Sequence, residues 1–280
     1  MIKRINWKGI LIALAWVVSL SGLVFLMSFI DKEKRDQKCT EVKVLIPGNQ
    51  NFISRQEVDR IIWNAGGTLS GKQLNLINTQ AVEDALKQNP FIRTAKVYAD
   101  MNGIVWVRIL QREPILRIIN NRNQDFYVDQ EGYKIPVSPN FTAAVLVANG
   151  NISEDLESRV RHIRTPLGKD LFKIARMIQQ DTLWSNQIEQ VYVNANAEIE
   201  LVPRVGDQQI ILGNADSLST KLNNLLVFYK KAMPKVGWNT YTTINLKYVN
   251  QIVCTKNGFA IDSVAAPVLA DTTQIKQAKN

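Results

Sequence analysis

The chain has 280 residues, of which 46% are hydrophobic, and it carries a formal net charge of +9. This length allows more than one domain, and the hydrophobic fraction excludes a wholly disordered chain. Two cysteines, Cys39 and Cys254, are too few for a disulfide framework or a cysteine metal cluster, so we expect free thiols, and the single histidine, His162, excludes most metal sites built on imidazole.

An uncharged apolar segment, residues 9–30, follows a short N-terminus of residues 1–8. As a helix of about 22 residues it would be about 33 Å long, enough to cross a bilayer core of about 30 Å. A cleaved signal peptide is the alternative, but its apolar region is typically shorter and ends at a small-residue site that we do not find. The sequence therefore predicts one transmembrane helix. Lysines and arginines flank both of its ends, so the flanking charges do not decide its orientation.

A charged linker, residues 31–40, leads into a first predicted domain at 41–113. A β-branched run at 42–46 stops at a Pro-Gly pair and predicts a strand. Ser54 with Glu57 three positions later predicts the capping box of a first helix. Asn78 or Thr79 begins a second helix, which ends before Pro90.

A predicted hairpin closes this domain. Residues 92–99 and 104–111 are two strand-like runs, and the Asn102-Gly103 pair between them is a strong turn signal. The predicted order is strand, helix, helix, strand, strand.

The second predicted domain, 114–262, is rich in β-structure and has two helices. Helical spacing of apolar residues occurs at 168–180 and 217–233, and the segments that predict strands are 115–119, 124–129, 133–137, 144–149, 188–194, 197–203 and 208–213. Ile244, Leu246 and Tyr248 alternate with polar residues and predict one more strand, with one apolar face. The small, polar tail at 263–280 is predicted to be disordered.

Catalysis is not predicted. His162 lies among arginines, without a carboxylate nearby in sequence to orient it. Asp129 and Glu131 belong to a turn, where backbone geometry explains them. Phosphate-loop, zinc-protease and serine-elbow motifs are absent from the sequence. The basic residues are spread along the chain without a cluster of stacking aromatic residues, which argues against nucleic-acid binding.

The order and content of these elements resemble a POTRA domain and β domain of the FtsQ/DivIB family over residues 1–260. The segments that carry the resemblance are NPFI at 89–92, the hairpin through Gly103, REP at 112–114, DQEGY at 129–133, LGNADSLSTKLNNLLVFYKK at 212–231 and INLKYVNQIV at 244–253. Three positions depart from the family pattern. Asn245 stands where aspartate is common, Lys247 stands where arginine is common, and the tryptophan common after this strand has no clear counterpart, Phe259 being only a loose substitute. The resemblance implies an α+β protein with one transmembrane helix, a POTRA domain with the order β-α-α-β-β, and a β-rich mixed domain with two helices.

The resemblance also implies a function. It predicts a non-enzymatic scaffold of the bacterial divisome at the septum, without cofactor, metal or small-molecule substrate, anchored in the inner membrane with its N-terminus in the cytoplasm. The POTRA domain and the span would contribute to localisation. The partners would be bitopic division proteins of the FtsB and FtsL type, and the last predicted strand would offer them its backbone edge. The predicted partner-binding residues are Ile244, Asn245, Leu246, Lys247, Tyr248, Val249, Asn250 and Gln251. The alternatives are a POTRA-containing envelope assembly or transport factor and a membrane-anchored envelope enzyme.

Overall fold

A computed structural model describes residues 12, 14–25, 37–156, 161–248 and 251–258. Residues 12 and 14–25 are helical. Within the described residues, no helix combines the length and the hydropathy needed to cross a bilayer. The predicted N-terminus 1–8, both ends of the predicted span 9–30, most of the linker and the predicted tail 263–280 lie outside the described residues.

The fold is of the α+β class and divides into two compact units. The first unit contains the chain up to Ile118 together with Gln124–Val145 and Asp155–Ile163. The second unit contains Ile119–Asn123, Leu146–Glu154 and the chain from Arg164 onward.

The first unit begins with the predicted order of strands and helices. Its elements are β1 (Glu41–Leu45), α1 (Arg55–Gly66), a 3-10 turn (Leu74–Leu76), α2 (Thr79–Lys87), β2 (Ile92–Ala99) and β3 (Ile104–Gln111). The three strands form a sheet in the order β1-β3-β2, with β1 parallel and β2 antiparallel to β3.

The helix starts follow from local hydrogen bonds. Ser54 Oγ accepts a hydrogen bond from the Glu57 amide at 3.2 Å, and Asn78 Oδ1 accepts one from the Ala81 amide at 3.0 Å. Asn78, not Thr79, is therefore the cap of α2. The predicted capping box is wrong in one half, because the Glu57 carboxylate accepts from the Asn89 side chain at 3.1 Å and so ties the start of α1 to the end of α2.

One face of this sheet packs against both helices. Val58 and Ile62 of α1, and Val82 and Leu86 of α2, join the inward residues of β2 and β3 in a single buried cluster. Each such side chain stabilises the fold by about 1.5–3 kcal/mol. The opposite face of the sheet is open to solvent at positions such as Tyr98.

Three further strands belong mainly to the first unit: β4 (Pro114–Ile119), β5 (Asp125–Asp129) and β6 (Lys134–Pro136), adjacent in that order. The β5–β6 turn confirms the backbone role predicted for Asp129, whose Oδ1 accepts from the amides of Glu131 and Tyr133 at 2.9 and 2.8 Å. Its Oδ2 accepts from Arg112 Nη1 at 2.6 Å, so the structure joins two motifs that lie 17 residues apart.

The second unit is built on six strands in the order β12-β11-β10-β9-β8-β7. Its elements in chain order are β7 (Leu146–Gly150), α3 (Pro166–Gln180), α4 (Thr182–Gln187), β8 (Ile188–Val193), β9 (Ile199–Pro203), β10 (Gln209–Gly213), α5 (Leu218–Lys231), α6 (Met233–Val236), β11 (Tyr241–Asn245) and β12 (Val253–Lys256). Each strand-like segment of the sequence contains a strand, and both long helices are present. The short helices α4 and α6 and the separate strand β12 are not predicted by the sequence patterns.

A buried row crosses this sheet on one face. Cross-strand neighbours form the row Ala148, Val191, Leu201, Ile210, Ile244 and Cys254. Its first five members are buried, and Cys254 is half-buried at the end of the row. This row shows that β11 contributes to the core of the second unit through Ile244.

Candidate partner-binding surface

β11 is an interior strand of the sheet and not an edge strand. It pairs in parallel with β10, where Ile210 lies opposite Ile244, and antiparallel with β12, where Cys254 lies opposite Ile244. The backbone of β11 is therefore paired on both sides, and the expectation that this strand supplies a free edge is corrected. Val253–Lys256 form β12, which takes the position next to β11.

Two of the predicted partner-binding side chains belong to the core. Ile244 is fully buried and Leu246 is 1% exposed, as their alternation predicts. The strand nevertheless ends at Asn245, three residues before Tyr248, because Asn245 Oδ1 accepts from the Lys247 amide at 2.9 Å and turns the chain. The Leu246 amide still donates to the Ile211 carbonyl at 2.8 Å, which fixes the start of the turn against β10.

The Lys247 side chain is used within the chain. Its Nζ lies 2.6 Å from Glu198 Oε1, and its stem crosses Gly213, where a Cβ would lie 2.8 Å from Lys247 Cγ. Gly213 also has φ of +80°, a conformation that favours glycine. The Lys247 ammonium lowers the pKa of the Glu198 carboxyl, and the hydrogen bond to Glu198 raises the pKa of Lys247. A partner's carboxylate that paired with Lys247 would have to compete with this contact.

Tyr248 and its neighbours form the connection between β11 and β12. Tyr248 is 51% exposed, and its carbonyl accepts from the Gln251 amide at 3.4 Å. Gln251 is exposed. Val249 and Asn250 lie outside the described residues. The described part of the connection therefore presents an aromatic ring with a polar tip to solvent.

β12 is the edge strand at this end of the sheet, and we call its unpaired side the margin of the sheet. The Asn257 amide donates to the Thr240 carbonyl at 2.8 Å, so the amide of Asn257 points toward β11. Because successive backbone groups of a strand point in opposite directions, the amides of Cys254 and Lys256 point away from β11. In the part of the chain that the structure describes, no strand lies beyond β12. Val253, 45% exposed, adds an apolar side chain to this margin.

Both cysteines are free thiols. Cys39 is buried and Cys254 is half-buried, and burial raises the pKa of each thiol above its ordinary value. This keeps them mostly protonated near neutral pH and less nucleophilic.

The residues considered for catalysis have structural partners. The His162 ring packs against Tyr133 with centroids 3.7 Å apart, and the two residues form an isolated β-bridge. The Arg112 guanidinium lies 4.0 Å from the centroid of the Tyr133 ring. Among the described residues, no three His, Cys, Asp or Glu side chains are grouped so that they could hold a metal ion.

Two family models match the chain. One is described as "FtsQ/DivIB, C-terminal related" and matches residues 113–255, just over half of the chain. The other is described as "POTRA-like domain" and matches residues 37–110. No curated protein matches the chain. The first match includes β11 and nearly all of β12, so the surface described above lies within the matched region.

Proposed function

The chain belongs to the FtsQ/DivIB family, and from this premise we propose that it is a non-enzymatic scaffold of bacterial cell division. In this role it holds other membrane proteins together for septal peptidoglycan synthesis. The proposed partners are bitopic division proteins of the FtsB and FtsL type.

The margin of the sheet at β12 is the observation that carries this proposal. An open strand margin exposes unpaired amides and carbonyls, which favour pairing with another chain. A partner segment that added one strand would form main-chain hydrogen bonds with Cys254 and Lys256, and such bonds do not depend on the side chains at these positions. The departures at Asn245 and Lys247 would therefore not prevent binding.

Side chains beside this margin would supply specificity. Tyr248 and Val253 are exposed. Tyr248 belongs to the connection between β11 and β12, and Val253 is the first residue of β12. Tyrosine is enriched at energetically important interface positions because its ring is large and rigid and its hydroxyl can form a hydrogen bond. We place the described members of the predicted set in supporting roles: buried Ile244 and Leu246 hold the hairpin, and exposed Lys247, Tyr248 and Gln251 contact the partner.

The membrane anchor and domain boundaries are part of the same proposal. Residues 9–30 would span the inner membrane once, with residues 1–8 in the cytoplasm and the rest outside it, at the division septum. We propose a POTRA domain at 41–113, which with the span directs the chain to the division site, and a β domain at 114–262. The two family matches meet near Arg112 and support this boundary in the sequence, whereas the compact first unit of the fold also takes in most of β4–β6.

The test is co-purification of the full chain, in detergent, with the FtsB-type protein of the same organism. Lys256→Pro removes one outward amide of β12, and Lys256→Ala is the matched control because it removes the side chain and keeps the amide. We expect Lys256→Pro to abolish co-purification and Lys256→Ala to retain it. Tyr248→Ala should weaken binding without disturbing the core, because the ring is half exposed.

Circular dichroism establishes that each variant keeps its fold before binding is compared. If folded Lys256→Pro binds like the wild type, the β12 margin is not the partner surface. If Lys256→Pro unfolds, Tyr248→Ala decides the question, and wild-type binding by that variant argues against this end of the sheet.

A further inference from the structure

The open face of the first unit's sheet has a pattern that the proposed scaffold function does not use. Strand register places Lys43, Trp106 and Tyr98 in one row across β1, β3 and β2, and Leu45, Arg108 and Lys96 in the next. With strands about 4.8 Å apart, these six residues cover a patch about 10 Å wide. We call this patch the basic-aromatic platform.

Four of the six platform side chains are exposed, and Lys43 and Trp106 are half-buried. Tyr98 is 50% and Leu45 is 47% exposed, and Lys96 and Arg108 are exposed. Lys43 Nζ lies 5.4 Å from the centroid of the Trp106 ring, a cation–π distance. The indole N–H of Trp106 donates to Asp100 Oδ2 at 3.1 Å, which holds the ring in place.

The charges of the platform are only partly balanced. Glu41 lies 3.5 Å from Lys43 Nζ, and Asp100 is engaged by Trp106 and by two backbone amides. Among the described residues, Lys96 and Arg108 have no carboxylate within ion-pair distance. The platform therefore offers two cations without an ion-pair partner beside two aromatic rings, and the Lys96 charge also contributes, after the Val97 amide hydrogen bond, to the lowered pKa of the Glu83 carboxyl.

The chain enters the first unit at the end of the platform. Gln37 Nε2 donates to the Met101 carbonyl at 2.6 Å, and the Thr40 amide donates to the Gly103 carbonyl at 2.9 Å, so residues 37–40 lie against the tip of the β2–β3 hairpin. Met101, at this tip, is 86% exposed. Residues 31–36 separate Gln37 from the predicted span, and seven extended steps from residue 30 to 37 reach at most about 25 Å.

We propose that the basic-aromatic platform and Met101 bind the anionic lipid surface of the membrane that anchors the chain. This inference rests on the membrane anchor in the proposed function. Tryptophan and tyrosine favour the membrane–water interface, and lysine and arginine are attracted to acidic headgroups. Because the short linker tethers the platform close to the bilayer, its effective concentration there is high, and a weak intrinsic affinity is sufficient. Bound in this way, the first unit is held against the membrane.

An acidic protein is the other occupant that the charges would allow. The tether favours lipid, since it keeps the platform within reach of headgroups at all times, whereas a protein partner must first diffuse to it. The exposed methionine at the hairpin tip also suits insertion among lipid headgroups better than a contact with acidic side chains.

The experiment reconstitutes the full chain into vesicles of neutral phosphatidylcholine alone or with about 30% phosphatidylglycerol. A membrane-impermeant amine reagent then labels lysines, and mass spectrometry measures the rate at each position. We expect labelling of Lys43 and Lys96 to be about threefold or more slower in the anionic vesicles, because headgroups cover them. Lys87, on the helical side of the same unit, is the internal reference and should change little. About 0.5 M salt should reverse the protection.

Two variants isolate the platform. Lys96→Gln/Arg108→Gln should abolish the protection of Lys43, and Arg60→Gln/Lys87→Gln, which removes the same charge from the helical side, should retain it. Equal labelling in both vesicle types, or equal slowing at Lys87 in the wild type, overturns the proposal and leaves the platform to a protein partner.

Flotation of the vesicles tests the membrane anchor separately from lipid binding by the platform. A chain that inserts but shows no protection contradicts this inference alone, whereas a chain that does not float contradicts the membrane anchor and this inference together.

Discussion

Replacement of Arg112 by alanine should destabilise the first unit locally and strongly. The side chains of Arg112 and Asp129 are 14% and 3% exposed, so the substitution leaves a buried carboxylate without its cation. Removing one partner of a buried ion pair typically costs about 3–5 kcal/mol. Asp129 keeps two backbone donors at 2.8 and 2.9 Å, which places the expected loss near the lower end, at about 3 kcal/mol.

An exposed ion pair in the same region provides the matched control. Arg93 pairs with Glu131, and their side chains are 47% and 41% exposed. Such pairs contribute about 0–1 kcal/mol, because water solvates both charges when the pair is broken. Arg93→Ala should therefore change the stability of the β5–β6 turn by much less than Arg112→Ala, although both variants remove one arginine from the same cluster.

Hydrogen exchange with peptide-level mass spectrometry measures the difference. In the peptide covering β5 and β6, a loss of about 3 kcal/mol corresponds to exchange about 100-fold faster for amides that exchange through opening of this unit. Asp129→Asn in the Arg112→Ala background should recover part of the loss, because the amide oxygen still accepts from both backbone donors without a buried charge. Exchange that accelerates less than about tenfold in Arg112→Ala, or equally in Arg93→Ala, would refute the reasoning.

Three further predictions concern the second unit and the two thiols. Gly213→Ala should destabilise the second unit by about 1–2 kcal/mol in urea unfolding, because the new methyl group strains the backbone and displaces Lys247. Gly71 is the control, since it has a similar φ of +81° and open space around it, so that Gly71→Ala tests backbone strain alone. The pKa of Glu198 is lowered in the folded chain, so its pair with Lys247 contributes stability above the ordinary glutamate pKa, and this stability is lost as pH falls through the lowered value. Lys247→Gln should therefore raise the pKa of Glu198 measured by NMR. An unchanged pKa would contradict the pairing. Cys254 should react with iodoacetamide faster than buried Cys39, and both rates should keep rising above pH 9 because burial raises both thiol pKa values; faster reaction of Cys39 would contradict this order.

The local patterns of the sequence determine most of the elements and their buried faces. Ser54 and Asn78 cap helices with their own side chains, and the Asn102-Gly103 pair closes a hairpin. These features are predictable because the interacting groups lie within a few residues of each other. Period-two alternation likewise identifies Ile244 and Leu246 as core residues, since the direction of a strand side chain is set by its own backbone.

Tertiary structure alone decides which strands and charges become neighbours. The alternation at 244–248 predicts a strand, and the family resemblance implies that this strand offers a free edge, but Val253–Lys256 pair with β11 as β12 and form the margin instead. Lys247 meets Glu198 across 49 residues, and Arg112 meets Asp129 across 17. Such pairings depend on how loops close and which surfaces the whole fold buries, and no single segment contains that information. The alternation of apolar and polar residues therefore indicates that the last segments form strands of a sheet, whereas only the folded chain decides which of these strands has an unpaired edge that a partner could bind.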